Sequence, residues 1–229
     1  MFLEKIKKIK TAFIRELKAP RVDIYSEFSK KSFNMIAEIK KTSPDVATAT
    51  NEIDIVESAK EYIDAGINIL SVATEEVYFK GNIKHIRQIR EKFSNAIIVR
   101  KDYILDTYQI YESKVIGSDM VYINLSLLSF SKAQELIGLA HSIGLYVVLE
   151  VDNEIELKQA LRLNVKFIGI NCRDNDTYEY SIENAKKLAK FIQNDKFFIT
   201  ECNLEDDGNI DEIKSLGYKG AIISASTVV

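Results

Sequence analysis

The 229-residue chain is poor in the residues that build metal centres and disulfide frameworks: two cysteines, Cys172 and Cys202, and two histidines, His85 and His141. Two cysteines cannot staple a small secreted fold, and no His/Cys group has zinc-binding spacing, so a structural or catalytic zinc is not expected. No apolar run approaches the length of a membrane span. The first residues also lack the apolar stretch and small-residue cleavage site of a secretory signal, so the expected location is the cytoplasm, with no membrane partner. A formal net charge of −3 gives no general attraction to nucleic acid. Lys5, Lys7, Lys8 and Lys10 do cluster, but they interleave with Phe2, Leu3, Ile6, Ile9 and Phe13 at helical spacing, as on a solvated amphipathic helix. A glycine-rich dinucleotide fingerprint is missing after the first strand candidate, where the chain reads Lys41-Thr42-Ser43-Pro44-Asp45-Val46-Ala47.

What the chain does contain is an alternation. Hydrophobic content of 46% and charged content of 28% are ordinary for a globular protein, and the length suits one (β/α)8 barrel. Residues 1–17 read as an amphipathic helix, followed by a Pro-containing connection near Pro20. Strand-like runs then recur at 33–40, 68–73, 96–100, 119–124, 145–151, 166–171, 196–201 and 219–224. Helical patterns lie between them at 53–65, 83–93, 106–116, 131–143, 153–163, 181–193 and 209–216. Strict alternation argues for parallel βαβ units, and runs such as ILSVA, VYINL and FIGIN are apolar throughout, as strands covered on both faces should be. The expected architecture is a single-domain α/β TIM barrel over residues 33–229 with a short N-terminal helical extension over 1–32; a doubly wound open sheet is the runner-up. The chain stops about five residues after the eighth run, so the last barrel helix is expected to be truncated or absent, with the N-terminal helix, a partner or a second copy covering the seam between strands eight and one.

Polar residues sit at the downstream ends of these runs: Glu38 and Lys40 in IAEIKKTSP, Lys101 in IIVRKDY, Glu150 in VVLEV, Asn171 and Arg173 in IGINCRD, and Glu201 in FFITE. A closed parallel barrel brings such positions to one face, which is where barrel enzymes keep their active sites. Each residue alone has a bland reading. Glu38 and Lys40 could be a structural ion pair, and charged strand ends such as Lys101 beside Arg100 and Asp102 are common. Glu150 follows five apolar residues, where a purposeless carboxylate is unexpected.

Taken in order, IAEIKKTSP, SVATEEVYFKGN, IIVRKDYILDTYQIYES, LEV, IGINCRD, TEC and GAIISAS resemble the pattern of the indole-3-glycerol-phosphate synthase family. The resemblance implies a cofactor-free lyase of tryptophan biosynthesis. Its substrate, an anthranilate-derived sugar phosphate (a carboxyphenylamino-deoxyribulose phosphate), cyclises, loses carbon dioxide and then loses water. By position, Lys101 looks like the general acid at the ketone, Lys40 the partner of the anthranilate carboxylate, and Glu150 the dehydration base. Glu38, Asn171, Arg173, Glu201, Ser43 and Tyr103 would orient these groups or bind substrate. Two lysines at one pocket would repel and lower at least one pKa. The N-terminal helix resembles the extension this family lays over the active-site mouth.

The chain departs from the family at the phosphate site, where the resembled family has Ser-Gly after strand seven and a Gly beside a small residue after strand eight. Here Cys202-Asn203 and Ser224-Ala225 stand there, so both glycines are gone. From Glu201 to Glu212 run six carboxylates (Glu201, Glu205, Asp206, Asp207, Asp211, Glu212) and no basic residue. An eroded phosphate site would fit weak phosphate binding, a related substrate, or a noncatalytic barrel that binds a ligand or protein; the last predicts an exposed apolar seam beside strands one and eight. Cys172 and Cys202, each one residue past an inward position on strands six and seven, could form a labile bridge. Two reduced thiols are the expectation for a cytoplasmic protein.

Overall fold

In the computed structural model, which describes residues 2–42, 54–174, 177, 179–202 and 207–223, eight parallel strands close into a barrel in sequence order, β1 pairing with both β2 and β8. The strands are β1 (Asn34–Ile39), β2 (Ile69–Ala73), β3 (Ile97–Lys101), β4 (Met120–Asn124), β5 (Tyr146–Val151), β6 (Phe167–Asn171), β7 (Phe197–Glu201) and β8 (Gly220–Ile223). All eight match the apolar runs. The helices of the described residues are α1 (Phe2–Lys18), α2 (Ile24–Ser29), α3 (Ile55–Asp64), α4 (Ile83–Lys92), α5 (Thr107–Ile116), α6 (Phe130–Ser142), α7 (Glu154–Ala160), α8 (Ile182–Leu188) and α9 (Asp207–Ser215). Side-chain caps set where many of them begin. Asp54, Asn82, Asp106, Ser129, Asn153 and Ser181 each accept a hydrogen bond from a first-turn N–H, and Asp106 forms a full capping box with Gln109.

Strand alternation separates two cores. Ile36, Ile69, Val99, Met120, Tyr122, Val148, Phe167, Ile199 and Ile222 fill the barrel interior, while Val121, Ile123, Leu149, Ile168, Ile170 and Phe198 point out against the helices. The outward residues nearest the seam, Ala37 and Ile39 on β1 and Ala221 and Ile223 on β8, are buried. The exposed apolar seam expected of an interaction module is therefore not present at these positions. Residues 224–229, beyond β8, lie outside the described residues.

The N-terminal extension differs from expectation. The stretch read as a connection contains the six-residue helix α2, capped by Asp23, whose side chain accepts from the Ser26 N–H. This helix inserts Ile24 and Phe28 into the ring of residues at the strand starts. Phe28 meets Phe167 and Phe197 at centroid distances of 4.8 and 5.6 Å, and Tyr25 stacks on Phe167 at 5.5 Å. Burying Ile24 and Phe28 contributes roughly 1.5–3 kcal/mol each. So α2 plugs the end of the barrel opposite the strand C-termini. The helix α1 ends on that same side: a Cβ at Gly144, just before β5, would collide with the Lys18 carbonyl and the Ala19 backbone. Exposed Leu3, Ile9 and Ile14 leave an apolar stripe of α1 facing solvent. Asp119, at the start of β4, fixes the junction. It accepts from Arg21 Nε (2.7 Å), Arg90 Nη2 (2.6 Å) and the Ile98 N–H (2.9 Å).

Candidate active site

Period-two alternation turns Glu38, Lys101, Tyr122, Asn124, Glu150, Asn171 and Glu201 inward, and the register sets them at comparable heights: Asn124 pairs with Glu150, and Asn171 with Glu201. All of them except Glu38, which sits beneath Lys101, line a cavity of about 500 Å³ at the C-terminal end of the barrel, together with Phe79, Asp102, Tyr103, Leu105, Ser126, Leu127, Asp152 and Arg173. Phe79, Leu105 and Leu127 give its wall an apolar part, and Lys101, Glu150 and Glu201 make its floor charged.

Lys101 is the hub of that floor. Its ammonium donates to Glu38 Oε1 at 2.9 Å and to Glu201 Oε1, and it stands 5.7 Å from the centre of the Tyr122 ring. Lys40 binds the other side of Glu38, Nζ to Oε2 at 2.5 Å. Glu38 is thus a carboxylate bridging two lysines. Burial pushes its carboxyl up, but Lys101 and Lys40 outweigh this and hold it at about 2. The expectation of a lysine with a lowered pKa is overturned for Lys101. Burial acts in that direction, yet Glu201, Glu38 and Glu150 converge on it and hold its pKa well above the ordinary lysine value. Carboxylates outnumber lysines around it, so the lysine stays charged.

Glu150 behaves oppositely. Burial and then Glu201 push its carboxyl up to about 8, against the attraction of Lys101, and Asn124 Nδ2 donates to Oε1 at 2.6 Å. A carboxyl poised near neutrality inside a cavity is the property expected of a proton-transfer group. Asn171 donates to Asp152 Oδ1 (3.0 Å) and accepts from the Arg173 N–H (2.9 Å), while its carbonyl accepts from Asn184 (2.6 Å). The Arg173 guanidinium stacks 5.1 Å from the Tyr180 ring. Tyr103, partly exposed, lines the mouth, and its phenol is raised by burial and by Glu150.

Of the residues expected from sequence, Lys101, Glu150, Asn171, Arg173, Glu201 and Tyr103 line the cavity, and Glu38 and Lys40 reach it through Lys101. Ser43, Asn203, Ser224 and Ala225 lie outside the described residues. Tyr122, Asn124 and Asp152 were not singled out. Asn124 ends β4 as Asn171 ends β6, so the same strand-end rule finds it.

Cys202, assigned to the altered phosphate site, is buried and disulfide-bonded to Cys172, with 4.9 Å between the Cα atoms. This corrects the expectation of two reduced thiols. Each cysteine follows one of the register partners Asn171 and Glu201, so both fall on the outer side of adjacent strands, already within bridging distance. The acidic run beyond is also less bare than its sequence suggests. Asp211 pairs with Lys214 at 2.9 Å, and Glu212 with Lys186 at 2.9 Å.

Comparison with known proteins agrees with this geometry. The family model described as Indole-3-glycerol phosphate synthase matches residues 3–228. The chain belongs to the indole-3-glycerol phosphate synthase family. It is 38% identical over 202 residues to the indole-3-glycerol phosphate synthase of Lachnospira eligens, covering 86% of this chain and 74% of that one. To the Petrotoga mobilis indole-3-glycerol phosphate synthase it is 31% identical over 228 residues, covering 97% and 90%. Among solved structures, an N-acetylmannosamine-6-phosphate 2-epimerase from Clostridium perfringens superposes with a TM-score of 0.63 at 12% identity, over 85% of this chain and 87% of that one. That likeness speaks for the barrel alone.

Proposed function

We propose that the protein is a carbon–carbon lyase that performs the indole-3-glycerol phosphate synthase reaction of tryptophan biosynthesis. It would close the ring of 1-(2-carboxyphenylamino)-1-deoxyribulose 5-phosphate with loss of carbon dioxide and water, without metal or organic cofactor, in the cytoplasm. The observation that carries this reading is the pairing in one cavity of a lysine held in its protonated form, Lys101, with a carboxyl poised near pH 8, Glu150. Family membership supplies the reaction; these two groups supply its acid–base requirements.

In this reading the aryl ring lies against Phe79, Leu105 and Leu127, and the ketone oxygen faces Lys101. As the ring carbon attacks the carbonyl carbon, the C–O π pair moves to oxygen. The Lys101 ammonium stabilises that oxygen and transfers a proton to it, leaving an alcohol. Glu38 and Glu201 keep the ammonium charged and aimed. Lys40, held by Glu38, offers a cation to the aryl carboxylate until its C–C bond breaks, the bonding pair returns to the ring and carbon dioxide leaves. Lys101 is recharged from solvent, and Glu150 in its ionised form then takes a proton from the ring carbon beside the nitrogen. That C–H pair forms the ring double bond, and the C–O bond breaks as the leaving hydroxyl takes a proton from Lys101 and departs as water. Glu150 afterwards passes its proton back to the lysine. Asn124 fixes the orientation of Glu150, and Asn171 and Arg173 bind oxygens of the polyol chain.

Incubation with this substrate tests the reading: indole fluorescence should rise in step with one carbon dioxide released per turnover. A folded protein that yields neither would dismiss it. The buried outer residues at the β8/β1 seam count against a noncatalytic docking module.

A further inference from the structure

One polar group in the cavity floor has no work in the chemistry above. Tyr122, on β4, crosses the barrel interior to β6. Its hydroxyl lies 3.3 Å from where a Cβ on Gly169 would stand, so the absence of a side chain at Gly169 gives the ring its place. The residue is 4% exposed and lines the cavity, and its hydroxyl has no hydrogen-bond partner. Glu201, on the neighbouring strand β7, also lines the cavity. One of its oxygens binds Lys101, while Oε2 is buried and equally without a partner. A buried phenol and a buried carboxylate oxygen left unpaired each carry a desolvation cost, and both of these side chains line the same cavity.

We propose that the Tyr122 hydroxyl and Glu201 Oε2 together form a substrate-binding subsite for a neutral hydroxyl group of the ligand. The phenol donates to that hydroxyl's oxygen, and the hydroxyl donates to Oε2. The chemistry of the pair selects the ligand group. A second carboxylate or a phosphate would meet Glu201 with like charge, and an apolar group would leave both atoms unsatisfied, whereas an alcohol satisfies both. Tyr122 is then a specificity-determining residue for the polyol part of the substrate, an assignment that rests on the lyase reading. Lys101, over the same ring, keeps the bound hydroxyl next to the reacting centre.

The test is Tyr122→Phe, which deletes one oxygen. Thermal unfolding of the ligand-free protein should be unchanged or shifted upward, because an unpaired buried hydroxyl has been removed. The same variant should lose about 10-fold or more in kcat/KM, mostly through KM, and weaken binding of indole-3-glycerol phosphate by a similar factor, as expected when a buried site partner is left unpaired. Wild-type kinetics and affinity in Tyr122→Phe would overturn the proposal. So would a variant that melts well below the wild type, since the hydroxyl would then have a structural partner. Turnover and product affinity separate the two readings. Wild-type protein that binds the product without turning over substrate would remove the lyase reading, leaving the affinity ratio of variant to wild type to decide on Tyr122; wild-type protein that does neither removes both.

Discussion

Replacing Lys101 by methionine keeps the volume of its stem and deletes its charge, leaving Glu201 without its cation and Glu38 with Lys40 alone. The three side chains are 16%, 13% and 4% exposed, so the carboxylates cannot simply turn to water. Removing one partner of a buried ion pair costs roughly 3–5 kcal/mol, and the surviving Lys40 contact argues for the lower end. For a chain of this length each kcal/mol moves Tm by roughly 2–4 °C, so Lys101→Met should melt roughly 6–12 °C below wild type near pH 8. The sign of the pH dependence comes from linkage. Lys101 helps to hold Glu38 at about 2, so the stability this pair contributes is present above the unfolded carboxyl pKa and lost as the pH falls towards 2. The deficit of Lys101→Met should therefore be full near about pH 8 and shrink as the pH falls below about 4. Calorimetry or circular-dichroism melts of both proteins at several pH values would read it. A variant as stable as wild type at pH 8, or a deficit that grows on acidification, would refute the ion-pair hub.

Other perturbations give equally definite expectations. Glu150 holds its proton up to about pH 8, so turnover that needs it as a base should rise with pH over the range below that value, and Glu150→Gln should abolish that limb and most of kcat. Glu38, held at about 2 by its lysines, contributes stability present above the unfolded carboxyl pKa and lost as the pH falls towards 2; Glu38→Gln should flatten that part of the acid-unfolding curve. Asp119→Ala leaves Arg21 and Arg90 facing each other and the Ile98 N–H unpaired, and should cost roughly 3–5 kcal/mol by denaturant titration without altering KM. Thiol titration of the folded, unreduced protein should find no free cysteine. Replacing both Cys172 and Cys202 by serine should remove roughly 3–4 kcal/mol, from the 30-residue separation that the bridge closes, whereas two titratable thiols would refute the bond.

Much of this site was legible in the chain because one physical rule governs it. A strand covered on both faces must be apolar until it nears solvent, so an inward charged or amide side chain at the downstream end of a run marks the cavity floor, as Glu38, Lys101, Glu150, Asn171 and Glu201 do. Asn124 does so too. Tyr122 escaped because a tyrosine two residues upstream, in VYIN, passes for core, and only the ring's path across to Gly169 shows that its hydroxyl goes unpaired. The sign of the Lys101 shift depends on counting neighbours from several strands at once: two lysines suggest repulsion, but Glu201, Glu38 and Glu150 converge on the same ammonium. The helix α2 was missed because IYSEFS is too short to display a helical period, and its stability comes from Ile24 and Phe28 docking on rings contributed by β6 and β7. The cysteine pair turned on register. Residues 30 apart in sequence become neighbours once Asn171 and Glu201 are known to lie side by side.

The most direct test of the account is a progress curve of indole fluorescence with purified protein and carboxyphenylamino-deoxyribulose phosphate, run beside Lys101→Ala at matched folded concentration. The account predicts steady turnover by the wild type and a loss of at least about 100-fold in the variant, the ordinary scale of a lost proton-transfer group. Equal rates in the two proteins would contradict the role given to Lys101, and a folded wild type with no turnover would contradict the lyase itself.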